Sequence, residues 1–169
     1  MKPMVSIIMG STSDLPVMEK AMGLLDEMEI PFEVHALSAH RTPDAVEQFA
    51  HGAKGRGIKV IIAAAGMAAA LPGVIAAATT VPVIGVPIKG MLDGLDAMLS
   101  IIQMPPGIPV ATVGVNGALN AAILAAEMIA LSDPIIAQKV ENYKSQLGKK
   151  IEKANRQLAE ITTYKHKTN

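Results

Sequence analysis

The sequence predicts an α/β protein in which one parallel sheet carries helices on both faces. Five short apolar runs alternate with helical patterns, and the order βαβαβαβαβα is that of a parallel sheet with crossover helices. The first run, residues 5–9, is short and ends sharply, as is typical of a strand buried on both faces. Half of the 169 residues are hydrophobic but only 2% are aromatic, so we expect a core of Ala, Val, Ile, Leu and Met.

The first three strands are predicted over residues 5–9, 32–37 and 59–64. Gly10 ends the first strand, and a helix follows from Pro16 to about residue 29. The second helix runs from residue 44 to about 56, where Gly55 and Gly57 close it. A helix of small residues continues after the third strand to about residue 78.

The fourth strand, 83–86, is bracketed by Pro82 and Pro87. A helix over 92–103, a rigid Pro-Pro-Gly turn, a fifth strand over 110–115 and an Ala-rich helix over 116–131 complete the pattern. Asp93 and Asp96 fall within the 92–103 helix, where we interpret them as solvated or capping groups on one polar face.

We predict one domain over residues 1–169, with an α/β core at 1–132 and a long helix and tail at 133–169. Pro134 begins a charged helix that extends to about residue 162. Its apolar residues are three or four apart and form one narrow stripe: Ile136, Val140, Tyr143, Leu147, Ile151, Ala154, Leu158 and Ile161. The stripe suits packing on its own domain or docking on a neighbouring subunit, and we favour the subunit because the sheet is already complete.

Composition excludes several classes of function. Net charge is zero and Trp is absent, so neither a nucleic-acid partner nor a base-stacking platform is expected. The absence of Cys excludes disulfides, thiolate catalysis and zinc–cysteine sites. Nothing at the start resembles a signal peptide, and Gly and Pro interrupt the apolar block at 60–86. We therefore expect a soluble, cytoplasmic protein without a membrane span.

The side chains best suited to catalysis and ligand binding lie in the stretch Ser38-Ala39-His40-Arg41-Thr42-Pro43, between the second strand and the second helix. Ligands of parallel α/β sheets bind at such carboxyl ends of strands. The imidazole of His40 can give and take a proton near neutral pH, and the Arg41 guanidinium suits phosphate. The alternative interpretation is an ordinary loop with a surface histidine.

Two further loops follow strands at the same edge. The turn Gly10-Ser11-Thr12-Ser13-Asp14 can cap a helix through Ser13 or Asp14, or it can hold a phosphate or sugar at the helix N-terminus. The small residues at 65–73 allow either tight helix–sheet packing or close approach of backbone N–H groups to a ligand.

Together these segments resemble the phosphoribosylaminoimidazole carboxylase catalytic subunit family of purine biosynthesis, in its class I form. The matching segments are Met9-Gly10-Ser11-Thr12-Ser13-Asp14, Ser38-Ala39-His40-Arg41-Thr42-Pro43, Leu71-Pro72-Gly73, Pro82-Val83-Ile84-Gly85-Val86-Pro87 and Ser100-Ile101-Ile102-Gln103-Met104-Pro105. The resemblance implies a three-layer α/β/α sandwich like flavodoxin, assembled as a homo-octamer and working without metal, nucleotide or organic cofactor. It also implies an isomerase of IMP synthesis.

The implied reaction moves a carboxylate from the exocyclic nitrogen of a carboxyaminoimidazole ribotide to ring carbon 4. Carbon dioxide leaves the protonated nitrogen, carbon 4 recaptures it, and one imidazole can act as acid and then as base. By resemblance, His40 carries the proton, Arg41 binds the phosphate, and Ser11 and Asp14 bind the ribotide. The other predicted substrate contacts are Ser13, Ser38, Gly66, Met67 and Leu71.

The third loop departs from the family pattern, which has Gly at the positions of Ala64 and Met67 and His at that of Ala70. Either that His is dispensable or compensated, or the substrate or carboxyl donor differs, or activity is reduced. We favour a divergent member over an engineered substitution, because three positions differ.

Three alternatives remain. The class II form uses free carbon dioxide and the unmodified aminoimidazole ribotide, but it has Lys where this chain has Arg41. A related carboxylase that acts on a pyridinium dinucleotide has a similar third loop. A ribotide-binding protein without catalysis would not need His40. A dinucleotide-binding oxidoreductase is disfavoured, because no Gly-x-Gly-x-x-Gly follows the first strand.

Overall fold

The computed structural model describes residues 2–169. Its five strands are β1 (Val5–Met9), β2 (Phe32–Ala36), β3 (Val60–Ala65), β4 (Val83–Pro87) and β5 (Ala111–Thr112). They form one sheet in the order β2-β1-β3-β4-β5, and every neighbouring pair is parallel. The predicted parallel α/β fold is therefore confirmed.

In the described residues, four helices connect consecutive strands and two follow the last strand. They are α1 (Leu15–Glu27), α2 (Pro43–Arg56), α3 (Leu71–Ala77), α4 (Leu95–Ile102), α5 (Ala118–Ala130) and α6 (Pro134–Ala159). One 3₁₀ turn at Thr12–Asp14 precedes α1. None of the helices in the described part of the chain combines the length and the apolar character that a bilayer crossing needs.

Alternate side chains of the strands build two cores, one on each face of the sheet. Ile7, Ile62 and Ile84 are register partners across β1, β3 and β4, and all three pack on the side of α1 and α5. Ile8 and Ile61 point the other way, toward α2, α3 and α4. This period-2 alternation produces the three-layer sandwich.

The fifth strand and the fourth helix are shorter than the sequence predicts. β5 has two residues rather than the expected six, and a turn at residues 115–116 leads the chain on toward α5. Helix α4 begins at Leu95 instead of residue 92, since Leu92, Asp93 and Gly94 have φ of 50°, 55° and 88°. Left-handed residues do not continue a right-handed helix.

This late start corrects the interpretation of Asp93 and Asp96 as neighbours on one helix face. Asp93 lies in the preceding loop, and its Oδ1 is 2.9 Å from Lys89 Nζ. Asp96 alone is in the first turn of α4.

Helix α6 has a buried base and an exposed remainder. Asp133 caps it by accepting hydrogen bonds from the N–H groups of Ile135 and Ile136, at 3.0 and 3.2 Å. Ile136 and Val140 are buried in the core on the α5 side. Further along, Leu147, Ile151 and Leu158 are 42%, 64% and 51% exposed.

Candidate active site

A pocket of about 600 Å³ lies at the carboxyl edge of the sheet, between the loops that follow β1, β2, β3 and β4. Ligands of open parallel sheets bind at this edge. All nine residues predicted to bind or transform a substrate line this pocket: Ser11, Ser13, Asp14, Ser38, His40, Arg41, Gly66, Met67 and Leu71.

The loop after β1 contributes hydroxyls and a carboxylate. Ser11 caps the 3₁₀ turn, where its Oγ accepts a hydrogen bond from the N–H of Ser13 at 3.2 Å. Ser13 Oγ in turn donates to Asp14 Oδ1 at 3.3 Å. Ser11 therefore caps this turn, and not Ser13 or Asp14 as the sequence suggested. Ser13 and Asp14 both lie beside the pocket.

Burial raises the pKa of the Asp14 carboxyl above its ordinary value. Hydrogen bonds with Ser13 and with the backbone of Ser11, and the positive charge of Arg41, offset this effect only in part. A half-buried carboxylate that is incompletely compensated is suited to accept hydrogen bonds from a polar ligand such as a ribose.

The loop after β2 is closed by hydrogen bonds between its two ends. The Ser38 N–H donates to Thr42 Oγ1 at 3.0 Å, and the Thr42 N–H donates to Ser38 O at 2.8 Å. Pro43 at the first position of α2 then starts the helix. The closure presents His40 and Arg41 outward, and both are exposed.

Arg41 joins the first two loops. Its Nη2 donates to Gly10 O at 2.5 Å, and its Nε donates to Ser38 Oγ at 3.2 Å. The guanidinium is thereby held beside Ser11 and Asp14 with part of its donor fork still available to an anion.

The loop after β3 lines the pocket and has strained backbone. Met67 has φ of 58° and is 66% exposed, while Ala69 has φ of 41° and is buried. Non-glycine residues visit this left-handed region at a cost of about 1–2 kcal/mol each. Such strain clusters at ligand sites.

The three departures in and before this loop have different locations. Ala64 is fully buried in β3, in the core on the α1 side, and does not line the pocket. Met67 and Ala70 both line the pocket. Among the described residues that line the pocket, His40 consequently has the only imidazole.

The loop after β4 brings a residue that sequence reasoning missed. Lys89 lines the pocket, and its N–H donates to Asn116 Oδ1 at 2.9 Å. Asn116 belongs to the turn before α5, and its own N–H donates to Pro87 O at 2.8 Å. Lys89 follows a strand end just as His40 does, so the same positional rule would have identified it.

A larger groove, about 780 Å³, lies at the opposite edge, beside the segments that lead into β4 and β5. His51 and Lys54 are its titratable members, and the rest of its wall is mainly aliphatic. It brings no carboxylate, guanidinium and imidazole together, whereas the smaller pocket does.

Comparison with known proteins gives a consistent result. The profile of the AIR carboxylase family matches residues 4–150. The chain is 56% identical to N5-carboxyaminoimidazole ribonucleotide mutase from Pyrococcus abyssi, over 86% of this chain and 84% of that protein. It is 54% identical to the protein of the same name from Thermotoga maritima, over 91% of both.

The fold is similar to a solved structure as well. The crystal structure of PurE from Treponema denticola superimposes with a TM-score of 0.84 and 32% sequence identity. The match covers 92% of this chain and 98% of that one.

Proposed function

The chain belongs to the AIR carboxylase family, and we propose that it is an N5-carboxyaminoimidazole ribonucleotide mutase of purine biosynthesis. The observation that carries this proposal is the convergence of His40, Arg41, Ser11 and Asp14 on one pocket. A ribotide has a phosphate, a ribose and a polar base. These four residues include a chemically suitable partner for each of them.

Arg41 binds the phosphate in this proposal. Its guanidinium forms charge-assisted, directional hydrogen bonds with phosphate oxygens, and its contacts to Gly10 and Ser38 already fix its position. Asp14 accepts hydrogen bonds from the ribose hydroxyls. The remaining proposed substrate contacts are Ser11, Ser13, Ser38, Gly66, Met67 and Leu71.

His40 transfers the proton. The protonated imidazole first gives its proton to the exocyclic nitrogen, the nitrogen–carbon bond of the carbamate breaks, and carbon dioxide is released. Carbon 4 of the aminoimidazole then attacks carbon dioxide and forms the new carbon–carbon bond. His40 removes the proton from carbon 4 and returns to its starting state, so no proton is gained or lost.

The released carbon dioxide has to stay beside carbon 4. The third loop suits this task because Ala69 and Leu71 are buried and the backbone at Gly66–Met67 lies open to the pocket. Backbone N–H groups stabilise carboxylate charge that develops during recapture. No cofactor is invoked in this scheme.

We further propose a homo-octamer in the cytoplasm. Several large apolar side chains on and near α4 and on α6 are exposed, which in oligomers marks contact surfaces: Met91, Leu92, Leu95, Leu99, Ile102, Leu147, Ile151 and Leu158. A phosphorylated substrate does not cross bilayers readily, which supports action in the compartment where the ribotide is made.

The deciding experiment is turnover of 5-(carboxyamino)imidazole ribonucleotide by the purified protein, followed by ultraviolet absorbance. A parallel reaction supplies aminoimidazole ribonucleotide with bicarbonate. Conversion of the first substrate alone is expected. Conversion of the second substrate alone would replace the mutase with a class II carboxylase, and binding without conversion of either would leave a ribotide-binding protein.

A further inference from the structure

Two basic side chains line the pocket, one in the loop after β2 and one in the loop after β4. Among the described residues that line it, only Arg41 and Lys89 combine a full positive charge with a position at a strand end. Arg41 follows β2 and Lys89 follows β4, and β1 and β3 lie between those strands. With neighbouring strands about 4.8 Å apart, the two loops emerge about 14 Å from each other.

The substrate of the proposed function also has two anionic groups at opposite ends. One is the phosphate on the ribose, and the other is the carboxylate on the base. We propose that Lys89 binds the migrating carboxylate and so distinguishes carboxylated ribotides from the bare aminoimidazole ribotide. This inference rests on the proposed function, because it takes Arg41 as the phosphate ligand.

The backbone of Lys89 is fixed while its side chain is free to move. The bonds from Lys89 N–H to Asn116 and from Asn116 N–H to Pro87 hold the loop against the sheet. The ammonium pairs with Asp93 at 2.9 Å, but the two side chains are 58% and 88% exposed. An exposed ion pair contributes roughly 0–1 kcal/mol, so Nζ can exchange Asp93 for a ligand carboxylate at little cost.

The third loop, which follows β3, has no charged side chain that could bind a ligand carboxylate in place of Lys89. Ala70 supplies no polar group on the β3 side of the pocket, and Met67 is apolar. On that half of the pocket the side chains are aliphatic except for Lys89. A carboxylate placed there has this ammonium as its charged side-chain partner.

Calorimetric titration tests the assignment without relying on turnover. Wild type and Lys89→Met are titrated with 4-carboxy-5-aminoimidazole ribonucleotide and with 5-aminoimidazole ribonucleotide. We expect Lys89→Met to bind the carboxylated ribotide about tenfold more weakly, the value of one charge-assisted hydrogen bond. Its affinity for the bare ribotide should stay within about twofold of wild type.

Two further variants separate this role from a structural one. Asp93→Asn frees the ammonium and should tighten binding of the carboxylated ribotide alone. Lys54→Met removes a lysine outside the pocket and should change neither affinity. Equal losses for both ligands in Lys89→Met, or no loss, would overturn the Lys89 assignment while leaving the mutase in place. Failure of wild type to bind either ribotide would overturn both.

Discussion

His40 is the residue on which the proposed chemistry depends most. We expect His40→Asn to reduce turnover at least about 10²-fold, the usual contribution of a positioned acid–base group. Its affinity for the ribotide product should stay near wild type, because Arg41 and Asp14 are unchanged. Stopped-flow absorbance and calorimetric titration measure the two quantities. Near-normal turnover would show that His40 is not the proton carrier. Backbone groups or solvent would then be the candidates for proton transfer.

We expect the charged Asp14 carboxylate to destabilise the folded protein while it contributes to ribotide binding. Its pKa is raised in the folded protein, chiefly by burial, so the folded state binds more protons than the unfolded state as the group titrates. The free energy of unfolding therefore falls as pH rises through this range. At neutral pH the charged carboxylate is a net cost to the fold.

Asp14→Asn should accordingly raise the melting temperature at pH 7 by about 1–2 °C while weakening ribotide binding. The gain should shrink as pH falls below the pKa of Asp14 in the folded and unfolded states, where wild type is itself protonated. Differential scanning calorimetry across this range makes the comparison. Glu19→Gln, an exposed change on α1, is the matched control, and a lower melting temperature for Asp14→Asn at pH 7 would refute the prediction.

Individual site residues could be predicted because several of them stand in specific short segments at strand ends. All nine line one pocket, although their roles stay predictions until tested. Lys89 also follows a strand end but lies outside such a segment, and its contact with Asn116 was hidden because it joins residues 27 apart in the chain. The left-handed backbone at Met67 and Ala69 was equally hidden, since nothing in a run of small apolar residues indicates positive φ.

At the scale of elements, edge strand β2 and helix α2 are tied together by one carboxylate. Glu33 Oε1 accepts a hydrogen bond from Ser6 Oγ at 2.6 Å and lies 3.3 Å from both Arg56 Nη2 and His35 Nε2. Arg56 also stacks over the ring of Phe49, 4.6 Å from its centroid. β2 and α2 flank the His40 loop, and the cluster joins them at their far ends.

Burial alone would raise the pKa of Glu33, but the hydrogen bond from Ser6 and the charges of His35 and Arg56 lower it overall. A lowered pKa in the folded state means that this stabilisation is present above the unfolded-state pKa. It is lost as pH falls through the folded-state value.

Glu33→Gln should therefore reduce the free energy of unfolding by about 1–2 kcal/mol at pH 7. The difference from wild type should disappear at acidic pH, once wild-type Glu33 is protonated. Urea unfolding at several pH values measures both effects. Glu47→Gln breaks an exposed pair with His51 and should cost less than about 0.5 kcal/mol, whereas a pH-independent loss in Glu33→Gln would contradict the electrostatic origin.

Elements with strong local signals were predicted well, and those set by tertiary contacts were not. β1 ends where predicted, at Met9, because its apolar run is followed at once by Gly10. The bounds of α4 could not be read from its apolar pattern. That pattern continues through Leu92, and only the left-handed turn up to Gly94, packed against Val115, interrupts it.

For the molecule as a whole, the alternation of strands and helices predicted the parallel sheet and the family resemblance predicted the three-layer sandwich, whereas domain organisation stays a proposal. We propose one domain that includes α6. Ile136 and Val140 reach the core on the α5 side, and Lys139 Nζ donates to Met28 O at 2.8 Å. Farther along α6, Leu147, Ile151 and Leu158 are exposed, and we propose that this part of the stripe docks on a neighbouring subunit.

Assembly through that stripe is the prediction at this scale. A double variant, Leu147→Glu with Ile151→Glu, places two charges where apolar side chains are 42% and 64% exposed. The subunit fold should tolerate them, because the base of the helix holds α6 in place. If the stripe docks on a neighbouring subunit, the buried charges are costly, and light scattering of the full chain should report a smaller mass per particle.

The control is Lys149→Gln with Lys153→Gln on the opposite face of α6. It changes the net charge by the same amount as the double glutamate variant but leaves the stripe intact. We expect wild-type particle mass for this control, which separates loss of apolar contact from a general effect of charge. An unchanged mass in the Leu147→Glu, Ile151→Glu variant would instead show that the stripe lies free in the assembly, and the exposed residues on and near α4 would then be the surface to test for subunit contact.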